Sequence, residues 1–171
     1  SKLCIKYDSK LFIDEAHAFG IMGPEGKGES FGVKDSISII SGTFGKAFGS
    51  GGAFLATDKI TGENLIQNCG AFRYTTALAP PLCASALAAL NLIESNPSWG
   101  SELKKKSIAL RDRLSQIGWQ RPVGEGPIIS IILGSDELAM DYQKRLEARG
   151  LLAVAIRPPT VPEGQSRLRL V

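Results

Sequence analysis

Lys46 stands in a run of small residues, Ser41-Gly42-Thr43-Phe44-Gly45-Lys46-Ala47-Phe48-Gly49-Ser50-Gly51-Gly52, directly after the apolar alternation Ser36-Ile37-Ser38-Ile39-Ile40. A lysine so placed leaves a strand end with little bulk around it, and the glycines permit the backbone angles of a tight turn. A desolvated or charge-perturbed lysine amine forms Schiff bases with carbonyl groups. A solitary Gly-Lys pair reads more simply as an exposed loop lysine. Upstream, however, Lys10-Leu11-Phe12-Ile13-Asp14 ends on a carboxylate, and Glu15-Ala16-His17 adds the only histidine of the chain. An isolated Asp-x-x-His reads as a capping aspartate and a satisfied histidine. Beside Lys46 it becomes part of a set: amine, carboxylate and imidazole.

The elements that must position this set follow from the patterning. Residues 1–9 resemble the last turns of an amphipathic helix, and 10–14 a short buried parallel strand. A glycine-rich loop over 15–32 precedes strands expected at 36–40 and 52–56, an order that predicts an α/β sheet. Ligands of such sheets collect beyond the carboxyl ends of the strands, where Asp14 and Lys46 both fall. A helix is predicted over 59–69, then a polar turn over 73–81 and an apolar helix over 82–93. Pro80 and Pro81 suit first helical positions, and the small residues of 84–90 predict close core packing. Beyond Ser95-Asn96-Pro97-Ser98 the pattern gives helix 101–117, strand 127–133, helix 136–149, strand 151–156, loop 157–165 and strand 166–171. The expected division is therefore an α/β part at 1–95 and a small α+β domain at 96–171.

Composition excludes several classes. The 171 residues are 43% hydrophobic and 22% charged, with a formal net charge of +3, as in ordinary globular proteins. The Lys104-Lys105-Lys106 run is too short for a nucleic-acid footprint and reads as a solvated helix face. No stretch reaches membrane-spanning length. The cysteines, Cys4, Cys69 and Cys83, leave an odd thiol and have no metal-ligand spacing, which suits a reducing, cytoplasmic setting and no metal site. The sequence begins as if in mid-helix, without a signal-peptide pattern, and stops inside a strand-like run. A piece of a longer cytoplasmic chain is expected.

Asp14-Glu15-Ala16-His17 admits two functional readings. Nucleic-acid helicases carry such a motif after an apolar strand, with Asp14 and Glu15 then on magnesium, and Ser41-Gly42-Thr43 mimics their serine–threonine motif. That chemistry needs a Gly-x-x-x-x-Gly-Lys-Ser/Thr loop upstream, whereas Gly45-Lys46 lies downstream and is followed by Ala47. The other reading is pyridoxal phosphate, which requires a lysine, a carboxylate on the pyridine nitrogen and hydroxyl or N–H donors for phosphate. Lys46, Asp14 and Thr43 supply these types at the ends of consecutive strands.

Asp14-Glu15-Ala16-His17-Ala18-Phe19-Gly20, then Gly23-x-x-Gly26-x-Gly28, then Thr43-Phe44-Gly45-Lys46-Ala47-Phe48-Gly49, resembles the α-oxoamine synthase family of fold-type-I pyridoxal-phosphate enzymes. The likeness continues to Ala155-Ile156-Arg157-Pro158-Pro159-Thr160-Val161-Pro162 and Arg167-Leu168-Arg169, so it runs across essentially the whole chain. The resemblance implies an aspartate aminotransferase-like transferase fold, with part of the large domain over 1–95 and a truncated small domain over 96–171. It implies condensation of an amino acid with an acyl thioester and loss of carbon dioxide. The C-terminal motif is most similar to members using alanine and a pimeloyl thioester in biotin synthesis; glycine-using members remain an alternative. By resemblance, Lys46 is the cofactor lysine and α-proton base, Asp14 the pyridinium partner, His17 a ring-oxygen contact and Thr43 a phosphate ligand. Thr76 would reach the phosphate of a neighbouring subunit's cofactor in a homodimer with shared sites. Arg169 would anchor the amino acid carboxylate, although spacing alone makes it a strand-face arginine paired with a surface acid. Arg157 and Thr160 would meet the acyl chain.

Against the family pattern, the first half is missing from this sequence, with its ring-stacking aromatic residue, further phosphate contacts and N-terminal substrate arginine. The C-terminal tail is missing as well. The fragment is expected to be inactive alone, and a catalytically silent relative that keeps the fold without cofactor remains a third possibility.

Overall fold

A computed structural model describes residues 1–33 and 36–171. The chain forms two compact units, Ser1–Glu102 and Leu103–Val171. The change of unit falls inside a helix, past the 95/96 boundary expected from Ser95-Asn96-Pro97-Ser98.

In the first unit, helix α1 (Lys2–Lys6) ends before Asp8, whose φ of 47° breaks the helical path. Strand β1 (Phe12–Asp14) pairs in parallel with β2 (Ile39–Thr43), matching Phe12 with Ile39 and Asp14 with Ser41. Strand β3 (Ala53–Thr57) returns antiparallel to β2, setting Gly42 opposite Phe54. Gly42 is required there: a Cβ would lie 2.4 Å from the Phe54 ring. The expected strand at 36–40 thus starts at Ile39, where both neighbours pair, and runs through Thr43 on its pairing with β3. β1 is not the buried strand expected, since it lies at one edge of the sheet and Phe12 is 54% exposed.

Helix α2 (Lys59–Asn68) begins at Asp58, whose carboxylate accepts the Thr61 amide and hydroxyl hydrogens. A short helix, α3 (Gly70–Arg73), fills the gap between the expected helix and turn and reaches the turn only at Arg73. Helix α4 (Pro80–Ser95) opens on its two prolines as expected. Its predicted core packing is not found: no α4 residue is buried, and Leu87 is 60% exposed. The unit is held instead by a phenyl cluster. Phe19 stacks on Phe48 at 5.0 Å and meets Phe54 edge-on at 5.1 Å, while Phe44 contacts Phe48 and Phe54 at 5.3 and 5.4 Å. An apolar cavity of about 390 Å³ lies between these rings and Leu82, Leu87 and Leu90 of α4.

The second unit is an antiparallel sheet in the order β4 (Ile129–Gly134), β6 (Ser166–Leu170), β5 (Val154–Ile156). Helix α5 (Trp99–Gln116) leads into it, and α6 (Asp136–Glu147) packs on the sheet. Ser135 caps α6 by accepting the Leu138 amide, and Ser166 donates to Asp136 at 2.5 Å. Ile129, Ala139, Ala153 and Leu168 form the buried apolar core. Among the described residues no helix is long and apolar enough to cross a membrane.

Arg111 is 1% exposed, the one charged side chain among this unit's buried residues described in the structure. Its guanidinium donates to the carbonyls of Gly126 (2.9 Å) and Ile128 (2.8 Å) and to the Ser107 hydroxyl oxygen, while its Nε finds no partner. Burial lowers its pKa. The side chain therefore clasps α5 to the segment that begins β4. Replacing Arg111 with methionine leaves the Ile128 carbonyl buried and unpaired, at a cost of about 2 kcal/mol. Urea denaturation, followed by the near-UV signal of the edge-on Trp119–Tyr142 pair in the same unit, measures this directly. An unchanged midpoint would remove Arg111 from the list of stabilising contacts.

Candidate active site

Parallel pairing fixes the first half of the site. Asp14 closes β1 opposite Ser41, and the Glu15 amide continues the ladder by donating to the Ser41 carbonyl at 2.8 Å. The carboxyl ends of β1 and β2 therefore lie at one edge of the sheet. Asp14 is exposed there, and its Oδ1 accepts the Ala16 amide at 2.8 Å. The chain turns after this bond, so that exposed His17 also lies just past the β1 end.

The lysine turn is built from main-chain bonds that its small residues permit. Gly52 O accepts the Phe44 amide at 2.9 Å and the Thr43 hydroxyl at 3.1 Å. Ser50 N donates to Phe44 O and Gly49 N to Lys46 O, with Gly49 at φ 57°. Thr43 Oγ1 in turn accepts the Gly45 amide at 3.1 Å. The Ser50 hydroxyl then ties the turn to the first turn of α4, donating to Leu82 O at 2.8 Å. Lys46 is exposed on this closed turn, without an ion-pair or side-chain hydrogen-bond partner among the described residues.

The structure therefore brings Asp14, His17, Thr43 and Lys46 to one sheet edge. Thr43 is the last residue of β2, at a strand end as expected. Thr76 belongs to the same unit, in the exposed segment between α3 and α4. Arg157, Thr160 and Arg169 belong to the second unit. Arg169 lies on the central strand β6, between Ser130 of β4 and Val154 of β5. Its Nε is buried without a partner, so the surface acid offered by the simpler reading of this residue is absent among the described residues. Arg157 and Thr160 are exposed in the loop after β5, where the Thr160 amide donates to Arg157 O at 3.0 Å.

These groups fit pyridoxal phosphate. An amine without an ion-pair partner among the described residues and a carboxylate at the end of the adjacent parallel strand are the nucleophile its aldehyde requires and the acceptor its protonated ring nitrogen requires. A hydroxyl and a turn amide at Thr43 and Gly45 suit its phosphate. Two features escaped the sequence. Glu15 is buried, and its oxygens accept the Glu29 and Ser30 amides, so of the two carboxylates the helicase reading puts on magnesium this one is already committed to the fold. Ser50 anchors the lysine turn; nothing in its local sequence distinguished it from the neighbouring small residues.

Comparison with known proteins gives a consistent result. Residues 1–171 match the family Aminotransferase class I and II. The 8-amino-7-oxononanoate synthase of Anaeromyxobacter dehalogenans (strain 2CP-1) is 39% identical over 172 residues, covering 99% of this chain and 43% of that protein. This chain thus spans less than half the length of that relative. A serine palmitoyltransferase from S. paucimobilis with bound PLP superposes with a TM-score of 0.89 at 26% identity, over 98% of this chain and 43% of that one. The 8-amino-7-oxononanoate synthase of Francisella tularensis gives a TM-score of 0.83 at 28% identity, over 99% of this chain and 50% of that one. A sequence match from first residue to last and a shared backbone lead to one assignment: the chain belongs to the aminotransferase class I and II family and has the fold of the type-I pyridoxal-phosphate transferases.

Proposed function

We propose that the full-length protein is a pyridoxal-phosphate-dependent α-oxoamine synthase that condenses L-alanine with a pimeloyl thioester to give 8-amino-7-oxononanoate, releasing carbon dioxide and coenzyme A or a carrier-protein thiol. The observation that carries this reading is the partnerless Lys46 on a closed turn beside the Asp14-terminated strand. The 39% identity to an 8-amino-7-oxononanoate synthase supports the choice of substrates.

When bound, pyridoxal phosphate supplies an electron-withdrawing ring that stabilises negative charge at the α-carbon of an amino acid. The remaining work belongs to the protein. Asp14 holds a proton at the pyridine nitrogen, because a carboxylate beside that atom favours its charged form. Thr43 turns its hydroxyl from Gly52 O towards the phosphate; Gly52 O keeps the Phe44 amide, so the turn survives. His17 donates to the ring oxygen. Lys46 would hold the cofactor and, once the amino group of the substrate has displaced it, its freed amine would accept the α-proton of the amino acid. Arg169 pairs with the substrate carboxylate, which its unpartnered Nε supports, and Arg157 and Thr160 face the acyl chain. Thr76 serves the phosphate of a second subunit's cofactor in a homodimer. In this reading residues 1–95 belong to the cofactor-binding large domain and 96–171 to the small domain.

A second reading, in which the protein is an α-oxoamine synthase of different substrate choice, is favoured by the TM-score of 0.89 to a serine palmitoyltransferase; a glycine-using synthase belongs to the same reading. Thiol release from pimeloyl-CoA, acetyl-CoA or palmitoyl-CoA, measured with alanine, glycine or serine, separates these. Release with alanine and pimeloyl-CoA is expected; release with only glycine–acetyl or serine–palmitoyl pairs would transfer the assignment to the second reading. Lys46→Ala is expected to abolish the visible absorbance of lysine-linked cofactor and to lower kcat by about 1,000-fold or more. Arg169→Ala is expected to raise KM for the amino acid roughly 10- to 100-fold, the worth of a charged hydrogen bond, without altering that absorbance. An unchanged KM would place the carboxylate anchor elsewhere.

A further inference from the structure

Glu15 is 3% exposed, and no cation pairs with it among the described residues. A buried carboxylate is costly unless hydrogen bonds replace its water. Here they do: Oε1 accepts the Ser30 amide at 2.6 Å and Oε2 the Glu29 amide at 3.1 Å. The main chain of Glu15 is equally committed. Its amide donates to Ser41 O, and its carbonyl accepts the Ala18 and Phe19 amides at 2.9 and 2.7 Å.

The loop that supplies the two side-chain donors is folded back on itself. Gly20 N donates to Gly26 O at 2.7 Å and Gly28 N to Met22 O at 2.9 Å. Gly28, at φ 93°, lies flush against the carboxylate: an added Cβ would stand 3.0 Å from Glu15 Cδ and Oε1 and 3.1 Å from Oε2. Glycine is needed there for both reasons, conformation and clearance.

Asp14 and His17 flank this anchored residue. Asp14 is exposed and accepts the local bond from Ala16 within the turn that Glu15 pins, so its direction is tied to that turn. We propose that Glu15 is a positioning residue, whose amide-clamped carboxylate fixes the turn that presents Asp14 and His17 to the cofactor. The proposal rests on the pyridoxal-phosphate reading above. It also explains why an acid is used. A carboxylate accepts at both ends, whereas the amide of glutamine would turn an N–H₂ group towards one of the two backbone donors.

The test uses full-length protein carrying Glu15→Gln. In the cofactor-free protein, hydrogen exchange at the Glu29 and Ser30 amides is expected to accelerate about 10-fold, the loss of one charge-assisted bond. On titration with pyridoxal phosphate, the apparent Kd is expected to rise by a similar factor. The pH midpoint of the bound cofactor's visible absorbance is expected to move, because Asp14 and His17 are less firmly held. A merely structural role would accelerate exchange and leave Kd and midpoint at their wild-type values; that result overturns the proposal alone. A wild-type protein that takes up no pyridoxal phosphate overturns the functional reading, and the positioning role with it. Should Glu15→Gln fail to fold, Gly28→Ala presses a methyl group on the intact carboxylate and carries the same readouts, with unchanged Kd and midpoint again sinking the idea.

Discussion

The parallel pairing of β1 with β2 is the constraint on which the site depends. Matching Asp14 with Ser41 puts the aspartate at the same sheet edge from which the chain leaves β2 towards Lys46. A shift by a single residue would turn every side chain of β1 to the opposite face. The Glu15-to-Ser41 bond extends the register beyond the strand, and the Glu15 carboxylate ties the following turn to residues 29 and 30. Strand pairing, a buried acid and a glycine loop thus act as one support for a short exposed motif.

The lysine turn has an analogous economy. Thr43 closes β2 and opens the turn, with its hydroxyl bonded to Gly52 O and to the Gly45 amide. Chemistry-bearing and scaffold roles meet in one side chain there. Below it, the phenyl cluster supplies the packing of the unit, and Ser50 links the turn to α4. The lysine contributes its carbonyl to the turn, while its amine has no ion-pair partner among the described residues.

The second unit places Arg169 by a different route. β6 is the central strand, buried on the Leu168 face, and Arg169 is fixed between Ser130 and Val154. Arg111 secures the start of β4 through main-chain carbonyls, so a buried cation held by backbone oxygens contributes order to the strand next to Arg169. Such a cation is tolerable because carbonyl dipoles replace part of its hydration.

How much of this was legible varied with the range of the interaction. Asp14, His17, Thr43 and Lys46 could be named from residue type and order because the chemistry of an amine, an acid and a hydroxyl is local, and motif likeness gave their family. Helices α2, α5 and α6 and the strands of the second unit lay close to their expected positions, since period and turn residues are written in neighbouring side chains. Pairing was not legible. Ser36-Ile37-Ser38 alternates like a strand, yet the sheet begins at Ile39, where partners on both sides exist; Gly42 reads as a turn residue until Phe54 is seen across from it. The small-residue run of α4 suggested a core helix, but burial depends on what lies opposite, and across from Ala86 and Leu87 the phenyl cluster leaves an open apolar cavity. Glu15 and Arg111 look like surface charges in a sequence. Only the folded chain, by bringing amides from residues 29 and 30 or carbonyls from 126 and 128 within hydrogen-bond reach, decided that they would be buried.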